Sequence, residues 1–434
     1  MPIIVRFHLS AWINLLLSAI PPRSRATFVE LLCGCMVSPE GWVTRAISAI
    51  RRGKHWTTYY KLLERGNVHV LPLARTLFYL VLSVVHPEIV TLVIDDTLVL
   101  RTSEHAPGSI SRYDHTKKKN RPRFVLSQCW VTLGVSIAGG NNPVLPILSR
   151  LVPLAGNRNK LKIAQALIRA VLGGILGTEP ALLVRVLFDA WYMRGPLVLP
   201  LLRRRIRVIG QVRHDTALFL FPVAVEGPRR RGRPRIYGTR LKPDAVAALP
   251  VTELVLFLYG KKQRIRLRSI VGLARFLKAT PVRAVWCEFF NEKNQTWNKP
   301  RLLLATEIEL TAEEVVCLYA RRWGIETLFY NLKQWWGANK LWQKSRRTLE
   351  LWMQIRSTAW CLTQLLVTKI HDSFPMEIVA PWRKNHTLTA GLMAQWMRME
   401  FSGLSFRDGY DRKSKKFLLP EHRHDPRLQL LDPG

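Results

Sequence analysis

Through residues 1–86 apolar side chains recur at helical spacing. RATFVELLCGCM, GWVTRAISAIRR and HWTTYYKLLER each show it, and Ser38, Pro39, Glu40 and Gly41 break the run between the first two. The pattern changes near Glu88. IVTLVIDDTLVL, residues 89–100, is β-branched and apolar on both faces, which predicts a central strand buried on both sides. RFVLSQCWVTLGVSI and PVLPILSRLV predict two further strands, Lys160 to Leu172 a helix, and ALLVRVLFD a buried strand ending at Asp189. A helix around Trp191 to Arg203 and the strand RIRVIGQV follow, so residues 87–213 predict a mixed α/β core. From 214 to 310 the alternation stops. EGPRRRGRPRIYGTRLK is a basic, turn-rich loop, and ELVLFLYG, RIRLRSIVGLARF, PVRAVWCEFFN and RLLLATEI predict strands with short connections, an inserted all-β subdomain. Thr311-Ala312-Glu313-Glu314 has the form of a capping box, and Gly337 closes the helix it opens. The predicted organisation is a helical, DNA-binding region over 1–86, a core over 87–213, the insertion over 214–310, a core helix over 311–340 and a helical C-terminal region over 341–434.

The helix predicted over 311–340 carries the most distinctive chemistry. In YARRWGIETLFYNLK, Tyr319, Arg322, Glu326 and Lys333 fall at roughly 0°, 300°, 340° and 320° on a helical wheel. Leu318, Ile325, Leu328, Phe329, Leu332 and Trp336 occupy another face. The polar ridge joins one acid to two cations and a phenol. A carboxylate can hold a divalent metal, and Arg and Lys can hold phosphates; a solvated face with charge pairs is the plainer alternative.

Charge favours the chemical reading. The 434 residues carry 66 Lys and Arg against 30 Asp and Glu, a formal charge of +36. Such a surplus concentrates a polyanion by counterion release and points to nucleic acid. No uncharged apolar run reaches the length of a membrane span, and the apolar opening MPIIVRFHLSAWINLLLSAIPP predicts a leading amphipathic helix. Cys33, Cys35, Cys129, Cys287, Cys317 and Cys361 form no CxxC pair and sit in apolar runs, as reduced core residues of a cytoplasmic protein would. No His or Cys cluster has the spacing of a zinc site.

Two further acids stand where buried strands run into turns: Asp95 or Asp96 in VIDDTLV, and Asp189 closing LVRVLFD. An isolated carboxylate there is costly unless a metal or hydrogen bonds compensate it. Three carboxylates around a pair of Mg²⁺ ions would suit in-line attack on a phosphodiester.

With these residues the chain resembles the DDE transposases of the RNase H-like fold, and within them the bacterial insertion-sequence group with a YREK signature. Tyr319, Arg322, Glu326 and Lys333 match that signature without a gap. VIDDTLVL resembles the strand of the first acid, where Asp precedes Thr, which favours Asp96; FDAWY resembles the segment of the second and contributes Asp189. The resemblance covers about residues 88–340 and implies an RNase H-like mixed sheet flanked by helices. In that group an inserted β domain fills the interval between second acid and Glu, which is too long here for a single connection. It also implies that Asp96, Asp189 and Glu326 bind two Mg²⁺ ions, with Mn²⁺ as a substitute. Tyr319, Arg322 and Lys333 would hold phosphates beside the cut, and a Trp would stack a flipped base. Trp297 is the expected residue, with Trp286 and Trp323 as alternatives.

Two basic segments complete the reading. RRRGRPRIYG resembles an AT-hook, with Arg231, Arg233 and Arg235 laid in a minor groove; KKKNRPR, with Lys117, Lys118 and Lys119, reads as a phosphate-tracking loop. The expected function is cut-and-paste DNA transposition. Its partners would be double-stranded DNA with terminal inverted repeats, target DNA and a second protomer on paired ends. A nuclease without strand transfer and a silent DNA-binding derivative are the alternatives.

Overall fold

In the computed structural model, Ile89–Leu100 is strand β1, the centre of the molecule, and its neighbours define the core. The structure describes residues 3–114, 120, 122–139, 142–153, 158–173, 182–223, 234–371, 374–384 and 387–421. β1 is antiparallel to β3 (Phe124–Ser136), whose other edge carries β2 (Ile110–Tyr113) and β4 (Val144–Leu151). On its second side β1 is parallel to β5 (Leu183–Phe188), which is parallel to β6 (Arg207–Val212). The sequence explains the layout. β1 is buried from Val90 to Ile94 and apolar there but for Thr91, as a strand covered on both faces requires. Two parallel steps need crossovers, and α6 (Arg158–Leu172) and α7 (Gly195–Leu202) supply helices for them. The order β4-β3-β1-β5-β6 is the RNase H-like sheet that the resemblance implied.

The insertion is strand-rich but does not stand apart. It contains β7 (Leu218–Phe219), α8 (Pro243–Ala247), β8 (Thr252–Leu258), β9 (Lys261–Ala274), β10 (Thr280–Asn291), β11 (Thr296–Trp297) and β12 (Arg301–Ala305). β12 pairs antiparallel with β6, from Leu302 opposite Val212 to Ala305 opposite Ile209. β10 and β9 continue outward, so insertion and core form one continuous sheet. Periodicity predicts strands; it does not say which edge they join. The return to the core is fastened by a buried ion pair. Arg185 Nε and Nη2 each donate to a Glu307 oxygen at 2.6 Å, and Arg207 Nη1 donates to Glu307 Oε1 at 3.0 Å.

The long helix expected after Thr311 is broken. The capping box is present, with Thr311 and Glu314 exchanging bonds, and it opens α9 (Ala312–Ala320). A 3₁₀ turn over Arg321–Trp323 then leads into α10 (Gly324–Gln334). The break coincides with a close approach: a Cβ at Gly324 would lie 2.3 Å from the Asn142 carbonyl oxygen. Arg321 also donates to the Ser136 hydroxyl and carbonyl oxygens at 3.2 and 3.1 Å. The helix stops at Gln334, with Trp335 as its C-cap, three residues short of the expected Gly337, whose φ of +64° opens the turn over Ala338–Lys340.

The N-terminal helices are α1 (Ile3–Leu17), α2 (Arg25–Val37), α3 (Val43–Ser48), α4 (Thr57–Arg65) and α5 (Val70–Val85). They pack with α11 (Arg346–Ile370), α12 (Met376–Val379) and α13 (Ala390–Phe401), the last followed by a short hairpin of β13 (Tyr410–Asp411) and β14 (Lys416–Phe417). α2 is buried from Ala26 to Val37, beneath α11. It is therefore a core element rather than a groove-reading helix on a free module. Arg356 of α11 is buried and ties three segments. Its Nη2 donates to the Ser38 carbonyl at 2.8 Å, and its Nε donates to the Trp336 carbonyl. Five of the cysteines are buried, but Cys317 is exposed. No single helix among the described residues is long and apolar enough to cross a membrane.

The ion pair gives a stability test. Glu307→Ala strands the buried Arg185 guanidinium and should cost about 3–5 kcal/mol in denaturant melts. Arg207→Ala removes a part-exposed partner and should cost under about 1 kcal/mol. Equal losses would mean that burial of Arg185 is not what makes the contact matter.

Candidate active site

Alternation along β1 separates its two acids. Asp95 lies opposite Thr132 of β3 and Asp96 opposite Val131, so their side chains leave opposite faces of the sheet. α10 covers the Asp95 face. There Arg322 Nη1 donates to Asp95 Oδ2 at 2.7 Å and lies 3.8 Å from Glu326 Oε1. One step along the same face, Lys333 Nζ donates to Thr97 Oγ1 at 2.5 Å. Asp96 faces the other way, toward α6. Its Oδ2 accepts from Lys160 Nζ at 2.7 Å and Cys129 Sγ at 3.3 Å, and its Oδ1 accepts from the Tyr192 hydroxyl at 2.9 Å. The preference for Asp96 over Asp95 is thus corrected: Asp95 is the acid that meets the Arg322–Glu326 ridge. Both lie in the same strand, and only the packing of α10 decides which face the ridge covers.

Asp189 closes β5. Its Oδ1 accepts the backbone N–H groups of Trp191 and Tyr192, each at 3.0 Å, which caps the turn. The acids act on one another, with Asp95 buried and Glu326 exposed. Burial, then Asp189, pushes the Asp95 carboxyl up to about 8; Arg322 opposes this, and Glu326 and Asp96 add to it. The 2.7 Å ion pair favours the charged form, but burial and like charges together outweigh one guanidinium. Asp189 is also raised, by burial first, against the backbone bonds and Arg322 that lower it. Tyr319 is buried, its hydroxyl is 3.4 Å from Gln211 Oε1, and burial pushes its pKa up to about 12. Its ring centroid is 5.8 Å from the Arg322 guanidinium.

The ridge therefore divides: Arg322 and Lys333 reach β1 beside Glu326, while Tyr319 is buried. The four acids share one electrostatic environment, but the expected convergence to metal-bridging reach is not seen. Among the described residues no three His, Cys, Asp or Glu side chains form a group that could hold a metal ion.

The tryptophans differ in access. Trp286 is buried in β10. Trp297 pairs with Phe290 across β10 and β11, and the Arg266 guanidinium lies 4.3 Å from its ring centroid. Phe289, the neighbour of Phe290 on the other sheet face, belongs to the group that reaches the cleft. It is 6.5 Å from Tyr259, at the β8–β9 tip, and Tyr259 is 5.9 Å from Trp323. Trp323 is 52% exposed and stands between Arg322 and Glu326 in sequence. Arg235 is exposed and in contact with none of these groups; Arg231, Arg233, Lys117, Lys118 and Lys119 lie outside the described residues. Gln211 and Tyr259 at the site, and Lys160 on the opposite, Asp96 face, had no signal in the sequence beyond their neighbours, because each comes from a different element.

The Asp95 carboxyl supplies a pH test. Its folded value is raised above the unfolded one near 3.9, so its contribution to stability is lost as pH rises from about 4 to about 8. Asp95→Asn cannot titrate. In melts without divalent metal, the variant's Tm relative to the parent should rise by at least about 2 °C between pH 6 and pH 9. A constant difference would mean that Asp95 ionises normally.

Comparison with known proteins agrees with this architecture. Residues 16–271, more than half of the chain, match the DDE superfamily endonucleases. No curated protein matches the sequence. The matched span includes β1 with its paired acids and Asp189 at the end of β5. An RNase H-like sheet that brings two strand-borne acids toward a helix-borne Glu, in a chain matched over that span, belongs to the DDE superfamily endonuclease family.

Proposed function

We propose that the protein is a DNA transposase of the YREK group, cutting element ends and joining them to target DNA as a dimer on paired ends. One observation carries the reading: Arg322 reaches Asp95 and Glu326 at once, beside Asp189. Nuclease-type chemistry belongs to the family; end cleavage with strand transfer is the finer step proposed here.

The donor chemistry, though not the spacing of the acids in this structure, suits a divalent cation. Asp95, Asp189 and Glu326 offer only hard oxygen atoms, and burial, then Asp189, holds the Asp95 carboxyl raised despite Arg322. These three would hold Mg²⁺ or Mn²⁺, which when bound supplies an activated oxygen nucleophile and neutralises the leaving oxygen. The remaining work belongs to the chain. Asp189 is held in place by its two backbone bonds. Arg322 and Lys333 carry their charges along one face of β1, at the rise of two strand residues, and orient successive phosphates. Tyr319 positions Arg322 from below. Trp323 offers its face to an extruded base. End recognition is assigned to the exposed basic edge of Arg51, Arg52 and Lys54 beside Trp56, the free surface that the packed N-terminal helices leave.

Duplex DNA bearing the inverted repeats that flank the gene, incubated with Mg²⁺, tests this directly. Asp95→Asn should abolish cleavage with end binding intact, while Asp96→Asn should keep measurable cleavage. The reverse pattern would return the first-acid role to Asp96. Arg322→Ala should slow cleavage by about 10²–10³-fold, as loss of a charge-stabilising donor does. Pre-cut ends should yield strand-transfer products; cutting alone would leave a nuclease.

Trp323→Ala should slow the steps after the first nick, since losing one stacked base costs about 1–3 kcal/mol. Trp297→Ala should leave the product pattern unchanged. End-labelled DNA resolves nicked and fully cut products, and an effect of Trp297 instead would move the stacking site outward.

A further inference from the structure

A second cationic cluster lies on the opposite face of β1 and takes no part in the site above. In register, Arg112 lies opposite Val125, Cys129 opposite Leu98, and Val131 opposite Asp96. Alternation puts Arg112, Cys129 and Asp96 on one face. Lys160, in the first turn of α6, reaches Asp96 there and lies 5.1 Å from the centroid of the Trp191 ring. The Asp96 carboxylate accepts from Lys160, Cys129 and Tyr192, and not from Arg112. Arg112 Nε and Nη2 are both buried, and neither has a hydrogen-bond acceptor among the described residues.

Buried donors are almost always paired. Two unpaired N–H groups on one guanidinium form the fork that a phosphate meets bidentately. The two cations also stand close enough to repel. Burial lowers the Lys160 pKa, Asp96 outweighs burial and raises it, and Arg112 opposes that rise. An anion placed between them would relieve the repulsion and satisfy the fork.

We propose that Arg112 and Lys160 form a second phosphate-binding site, which takes a backbone phosphodiester of DNA passing the acids on the β2 side. The choice of DNA rests on the transposase reading and on the charge of +36; the site itself does not depend on catalysis. β2 is an edge strand with Ser111 and Tyr113 exposed on either side of Arg112, so a strand of DNA can reach it. Lys160 is tied to Asp96, so a phosphate held here lies across the sheet from Asp95 and marks a separate stretch of the DNA path.

Binding of a short fluorescein-labelled duplex to the full-length protein, measured by anisotropy across a salt series, tests the assignment. Arg112→Ala should weaken binding several-fold at low salt and reduce the slope of log K against log salt by about 0.9, the loss of one phosphate. Arg112→Lys should restore the slope but only part of the affinity, since a point charge lacks the fork. The Tm of Arg112→Ala should not fall, because the side chain makes no hydrogen bond through its buried donors. An unchanged slope, with or without a lower Tm, overturns the proposal. So does inorganic phosphate raising the Tm of the parent but not of the variant while the DNA slope stays the same, which would make the site one for a free anion. Cleavage plays no part in these readouts, so failure of the transposase reading would appear separately, as absent cleavage beside an Arg112-dependent slope.

Discussion

The site is governed by the register of β1 between β3 and β5. Successive strand residues face opposite ways, so two adjacent acids are delivered to two different environments. Asp95 enters a cleft shared with Arg322, Glu326 and Asp189, where burial and like charge keep its carboxyl hard to ionise. Asp96 enters a compact network in which Lys160, Tyr192 and Cys129 use both of its oxygens. A slip of one residue in the pairing would exchange the two roles and turn the apolar side chains of the strand to the wrong faces. The burial from Val90 to Ile94 therefore does more than fill the core. It holds the register on which the chemistry depends.

The second requirement is that α10 lie at one height above β1. Gly324 admits the Asn142 carbonyl at the start of the helix. At its end Gly337 meets Gly41 so closely that a Cβ on either would lie 2.0 Å from the other's backbone. Arg356 then joins the Trp336 carbonyl just beyond α10 to Ser38 at the end of α2. The N-terminal helices thereby serve the site from a distance: they anchor the C-terminal end of the helix that carries Glu326 and Lys333. That explains why α2 is buried.

The insertion acts on the cleft by a similar route. Because β12 pairs with β6, the added strands are rigidly continuous with the core sheet. The buried Arg185–Glu307 pair fastens the point of return, directly before the cap of α9. The β8–β9 tip then presents Tyr259 to Trp323, while Trp297 looks out from the other face under Arg266.

Much of this was legible in the chain itself. The apolar run of β1, the strand ending at Asp189, the Thr311–Glu314 capping box and the helix stop just short of Gly337 are local patterns, and local dihedral preference and periodicity are sufficient to encode them. The spacing of Arg322, Glu326 and Lys333 likewise predicted a shared ridge, and Arg322 and Lys333 reach β1 beside Glu326. Other features were decided only by tertiary packing. VIDDTLV offers two acids with equal local claims, and the choice depends on which face α10 covers. Tyr319 has a polar group but a buried ring, and the 3₁₀ turn that re-aims the ridge occurs where Gly324 meets a distant carbonyl. The β2 strand with Arg112 is too short to announce itself in periodicity. The sequence by itself determined the elements and the residue types brought near one another, because those follow from interactions over a few residues. Which faces meet, and so which acid borders the cleft, is set by contacts between segments hundreds of residues apart.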